Sequence, residues 1–147
     1  MQEDVTTWIV TADDRRVAVH EERVRGGRLH PLPEAALEAD RRLSGHVHRA
    51  TVHARHGDMR HAAGEIDVSR LEAQRFLGGV AQMIQAAAEA KRFQRLVLMA
   101  PPRALGILRG ALGKDVTDRL ELTEPHERLQ LAAPALRQAL RTARTRA

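Results

Sequence analysis

The chain has 147 residues, 43% of them hydrophobic and 2% aromatic, with no cysteine and a formal net charge of +5. That length is expected to make a single domain, residues 1–147, around one core. The lack of cysteine excludes disulfides, thiolate metal sites and cysteine nucleophiles, and three rings (Trp8, Phe76, Phe93) are too few for a platform that stacks single-stranded bases.

Thr6 to Thr11 reads as a first strand, with Trp8 and Val10 on one face and Ile9 on the other. Ala12-Asp13-Asp14-Arg15 is a turn, because Asp bonds its own backbone two residues on. From Arg16 to Glu22 apolar and polar residues alternate: Val17 and Val19 point inward, Arg16, Ala18 and His20 outward. This predicts an antiparallel strand with one face on the core. Gly26-Gly27 makes the next turn, and Arg28 to Leu32 reads as a short third strand, ended by Pro31 and Pro33. Glu34 to Arg42 suggests a helical turn.

Residues 40–65 hold no long apolar run and five of the eight histidines, so they read as a long loop, expected to be flexible. Ser69-Arg-Leu-Glu72 fits a capping box, in which the hydroxyl covers one free N–H and the carboxylate reaches back to another. A helix is therefore predicted from there to Lys91. Its apolar stripe runs through Ala73, Phe76, Leu77, Val80, Ala81, Ile84, Ala87 and Ala88. Gly78-Gly79 weakens it by about 1 kcal/mol per glycine, which implies close approach of helix and sheet.

Leu96 to Ala100 is apolar without alternation, the pattern of a strand covered on both faces. Pro101-Pro102 ends it, and Pro102 suits the first turn of a helix, where a missing N–H is harmless. Leu105, Leu108 and Leu112 follow at helical spacing, and Gly113 is the expected stop. Val116, Leu120 and Leu122 suggest another strand. This strand–helix–strand unit should be parallel and right-handed. Pro125 is expected to open a last helix with Leu129, Ala132, Ala133, Leu136 and Leu140 inward, kinked or divided at Pro134. The order β-β-β-α-β-α-β-α predicts an α/β fold with a mixed five-stranded, ribonuclease-H-like sheet.

Charge is unevenly placed. Residues 137–147 carry Arg137, Arg141, Arg144 and Arg146 and no acid, leaving the rest near neutral. The expectation is a frayed basic tail. Around residues 40–61, Arg41, Arg42, Arg49, Arg55 and Arg60 outnumber Asp40 and Asp58, and His61 adjoins them. Such a loop suits phosphate contact. Arg103 and Arg109 flank the helix after Pro102, whose N-terminus lies beyond the end of a parallel strand, where anions and ligands tend to bind, with ordinary capping by water as the competing reading. His46-x-His48 and His53-x-x-His56 have metal-like spacing, but zinc sites want a rigid frame, so no metal or other cofactor is expected. A two-metal hydrolase would need converging acids. Asp13, Asp14 and Glu72 are the only candidates, and the strand ending Met99-Ala100-Pro101-Pro102 supplies no acid beside them. The acidic N-terminus is not expected to be a secretory signal, and no apolar run approaches the ~20 residues of a membrane span. A cytoplasmic location is the expectation.

Leu96-Val-Leu-Met-Ala-Pro-Pro-Arg-Ala-Leu-Gly-Ile-Leu-Arg109 resembles the hallmark of the bacterial host-attachment family, described as required for attachment to host cells. Thr7 to Asp13, Gly57 to Ala62 and Glu72 to Phe76 resemble its other segments. Leu120-Glu-Leu-Thr123 resembles its closing Lys-Asp-Leu-Thr motif, with two departures: Glu121 replaces Asp and the Lys is absent. That family is similar to the middle domain of archaeal and eukaryotic peptide-release factors, which implies a ribonuclease-H-like fold and leaves contact with structured RNA or the ribosome open. Release factors use a Gly-Gly-Gln loop for hydrolysis. Here Gly26-Gly27 precedes Arg28 and Gly78-Gly79 precedes Val80, so the resemblance implies a non-enzymatic binding module. Its partner would be RNA, the ribosome or an acidic protein.

Overall fold

The computed structural model describes residues 5–39 and 58–147. Among these described residues six strands form one mixed sheet: β1 (Thr7–Ala12), β2 (Arg16–Glu22), β3 (Leu29–Pro31), β4 (Leu37–Glu38), β5 (Arg95–Met99) and β6 (Leu120–Glu124). The path across the sheet is β3-β2-β1-β5-β6, and β4 pairs with β2 beyond the end of β3. The meander β1-β2-β3 is antiparallel, while β5 and β6 run parallel to β1. The described residues also form four α-helices: α1 (Asp58–Glu89), α2 (Pro102–Ala111), α3 (Lys114–Thr117) and α4 (Ala133–Arg146).

In place of the one core expected, the described residues form two, on opposite faces of the sheet. Trp8, Val10, Val17, Val19, Leu96 and Leu98 pack against Leu77, Val80 and Ile84 of α1 and Ala104, Leu105 and Leu108 of α2. Ile9, Leu29, Val97 and Met99 pack against Leu136 and Leu140 of α4. Strand β5 is therefore covered on both faces, and Leu96 through Ala100 are all fully buried, as an uninterrupted apolar run demands. Trp8 and Val10 face one core and Ile9 the other, as their alternation requires.

Several expectations need correction. The first long helix does not begin at Ser69. It begins at Asp58 and runs 32 residues, about 48 Å at 1.5 Å per residue. Residues 58–65 contain good helix formers and no proline, so propensity carries the helix back past the apparent cap. The far end of the predicted loop is thus helical, and residues 40–57 lie outside the described residues. Close packing does not explain Gly78 and Gly79, because a Cβ at either would meet nothing within 4 Å.

The sheet has six strands where five were expected. Pro33 limits the helical turn to one 3-10 turn, Pro33–Ala35, after which Ala36 is extended and Leu37 and Glu38 pair with Val17 and Arg16. His20 is not on a solvent face: it is 9% exposed, because this face of β2 is covered as well. Val116 is buried within α3 and precedes β6. In β6 the register slips between Leu120 and Leu122. That extra residue lets Leu120 face the first core and Leu122 the second, which strict alternation would forbid. Pro125 ends β6 and opens no helix. Pro134 stands in the first turn of α4, where its missing N–H is harmless, so it starts that helix and kinks nothing. Among the described residues no helix is long and apolar enough to cross a membrane.

Candidate nucleic-acid interface

The rim beyond the ends of β1 and β5 carries Asp13, Asp14 and the first arginine of α2. Asp13 is a turn residue: its Oδ1 accepts the backbone N–H groups of Arg15 and Arg16, both at 2.8 Å. Asp14 and, on α1, Glu72 are each half-buried. The three carboxylates do not assemble, and among the described residues no three His, Cys, Asp or Glu side chains gather as metal ligands would. The candidate ligands His46, His48, His53 and His56 lie outside the described residues. So do Arg41, Arg42, Arg49 and Arg55, while Arg60 and His61 belong to the first turns of α1.

What the fold does present is arginine without acid. Helix α2 contains no carboxylate, and Arg103 in its first turn and Arg109 in its last are both exposed. The helix is held from beneath by Ala104, Leu105 and Leu108, so its outer side is fixed while its arginines stay solvated. Arg70 and Arg75 of α1, which covers the same sheet face, are exposed too. None of these four has an ion-pair partner among the described residues. Several other cations are committed: Arg23 to Glu21 at 2.8 Å, Arg25 to Glu121 at 3.0 Å and Lys114 to Asp118 at 3.0 Å.

The C-terminal stretch differs from the expected frayed tail. It is helical through Arg146, with Leu140 and Ala143 buried. Arg137 donates to the Gly26 carbonyl from Nε (3.1 Å) and Nη2 (2.7 Å). Arg144 donates to Glu22 at 2.6 Å and to Glu121 at 2.7 Å. Glu22 is only 1% exposed, and its second oxygen accepts the N–H of Gly26 at 3.0 Å. One guanidinium on α4 thus ties the end of β2 to the slipped residue of β6. Two of the four tail arginines are structural, leaving Arg141 and Arg146 exposed.

No local pattern in the sequence announces this cluster. One signal is present: Glu22 and His20 share the face of Ile9, so polar groups have to enter a layer that alternation assigns to solvent. Burial alone would raise the Glu121 carboxyl, but hydrogen bonds and charge from Arg144 and Arg25 overcome it and hold its pKa at about 2. Glu22, more than Glu121, raises the pKa of Arg144 against its own burial. Burial lowers the His20 imidazole below its usual value.

The Glu121 shift has a pH consequence. A carboxyl depressed on folding contributes stability that is complete above its unfolded value near 4.5 and is lost as pH falls toward 2. Thermal melts should therefore show this contribution fading between pH 4.5 and 2 in the wild type. The Glu121→Gln variant should have a shallower acid decline across that window.

The family model described as "Protein required for attachment to host cells" matches residues 8–140. No curated protein matches the chain significantly. Among solved structures, the archaeal translation termination factor aRF1 is similar in fold, with a TM-score of 0.50 at 12% sequence identity. The match covers 96% of this chain but only 39% of the termination factor. The family match spans both cores, the arginine-bearing α2 and most of α4, and on that ground the chain belongs to the family of proteins required for attachment to host cells.

Proposed function

We infer that this protein is a non-enzymatic binding module whose α1–α2 layer contacts the phosphates of structured RNA. The observation that carries this reading is the acid-free helix α2, with Arg103 and Arg109 exposed and unpaired among the described residues. Guanidinium groups without carboxylate neighbours are free to release counterions from a phosphate backbone, which supplies most non-specific affinity for nucleic acid. Arg70 and Arg75 extend the same layer. Arg41, Arg42, Arg49, Arg55, Arg60 and His61 are proposed to add to it.

Two further points support the reading. The antiparallel meander followed by parallel β5 and β6 favours a ribonuclease-H-like sheet, and the fold shared with a translation termination factor makes structured RNA the partner class to test first. The hydrolase alternative is weaker, because Asp13 already spends a carboxylate oxygen on two backbone N–H groups. The family description names a cellular outcome, attachment, and RNA contact would be its molecular route. Affinity capture from cells, with and without ribonuclease, tests this. RNA-dependent recovery of partners is expected. Partners that survive ribonuclease would instead make the protein a protein-interaction adaptor and overturn the reading.

A further inference from the structure

Helix α1 ends in a left-handed residue. The last turn closes with the Lys91 N–H bonded to the Ala88 carbonyl at 3.0 Å and the Arg92 N–H bonded to the Ala87 carbonyl at 2.9 Å. Lys91 has φ of 59° and is the only non-glycine residue at positive φ among the described residues. Helices ordinarily place glycine at this position, because a Cβ is strained there. A strained backbone at an exposed lysine invites the question of what its side chain does.

Lys91 lines an open groove of about 330 Å³ between the end of α1 and the start of α3. Lys114, Arg119, Gln85, Glu89 and Asp115 line it as well. Three cations thus face two carboxylates. Lys91 has no ion-pair partner among the described residues, whereas Lys114 is bridged to Asp118. Arg119 is held in place: its Nη1 donates to the carbonyls of Ala88 (3.2 Å) and Phe93 (3.1 Å), and its guanidinium lies 5.9 Å from the Phe93 ring centroid. Its Nε and Nη2 have no acceptor among the described residues. Gln85 uses its Oε1 to accept the Gly113 N–H at 3.2 Å, which leaves its amide N–H groups as donors.

We propose that this groove binds one ribose-phosphate unit. Lys91 and Arg119 take the anionic phosphate, with the Gln85 amide as a neutral donor. Glu89 and Asp115 accept from sugar hydroxyls, which donate as well as accept. The mixed charge is the discriminating feature: a bare anion would gain from the cations but be repelled by both acids, whereas a sugar phosphate satisfies both sets. The choice of RNA as the source of that unit rests on the reading above.

The test is a titration of the full chain with adenosine 5′-monophosphate, followed by backbone amide shifts, for wild type and Lys91→Gly. Shifts should concentrate at residues 85–91 and 113–119. Lys91→Gly should melt several degrees higher, since glycine relieves the positive φ, yet bind the nucleotide roughly threefold to fivefold more weakly, as loss of one exposed charge predicts. Unchanged affinity in Lys91→Gly, no shifts at these residues, or inorganic phosphate binding as tightly as the nucleotide would each overturn the assignment. None of these outcomes depends on Arg103 or Arg109, so failure of the groove and failure of the RNA reading are distinguishable.

Discussion

Replacing Arg144 with alanine should destabilise the protein by about 3–5 kcal/mol, the range for removing one partner of a buried ion pair. For a domain of this size that corresponds to a melting point about 10 °C lower. The reason is Glu22. Its side chain is 1% exposed and receives two bonds from Arg144, so the variant strands a charge away from water. Glu121 is more exposed at 13% and keeps Arg25 as a partner, so it suffers less. The double variant Glu22→Leu/Arg144→Met should recover much of the stability, because it removes the stranded charge together with its partner. Equal destabilisation in the single and double variants, read from denaturant midpoints, would show that Arg144 acts through packing alone.

Phe93→Ala should cost a similar amount, about 3–5 kcal/mol. Phe93 is completely buried and its ring centroid lies 5.1 Å from that of Trp8. These two rings close the end of the core beneath the last turn of α1, in a chain with almost no other aromatics to fill the space. The variant also removes the surface on which the Arg119 guanidinium rests. Phe93→Leu, which keeps most of the volume, should lose less than half as much. Urea unfolding of the three proteins measures the difference, and an unchanged midpoint for Phe93→Ala would mean the cavity refills.

The elements that the sequence made plain are those where one signal dominates. Leu96 to Ala100 has no alternation and no breaker before Pro101, so a strand buried on both faces was its only reading. Val17 and Val19 gave β2 its inward face in the same way. Errors came where two signals compete. Ser69 and Glu72 look like a helix start, yet helix formers precede them and the helix simply continues upstream. Pro134 can break a helix or begin one, and only the loop from Pro125 to Ala132 decides which. Val116 has strand propensity but falls in the turn-forming stretch after Gly113.

The arginines divide along a similar line. Arg103 was legible because Pro101-Pro102 locates a helix start beside it. Arg144 was not, because its partner Glu22 is 122 residues away and no local pattern links them. The tail therefore read as loose charge when half of it is a clasp between α4 and the sheet. Arg137 and Arg144 are thus engaged within the fold and leave the set of cations open to a phosphate.

The most direct measurement of the proposed RNA contact is the salt dependence of binding to structured RNA, for wild type and for Arg103→Ala/Arg109→Ala. The double variant should fold normally, since both side chains are exposed. Its affinity should fall at every salt concentration, and the slope of log affinity against log salt should shrink by about 1.4–1.8, or 0.7–0.9 for each phosphate no longer neutralised by an arginine. A double variant that binds with wild-type affinity and slope would contradict the account.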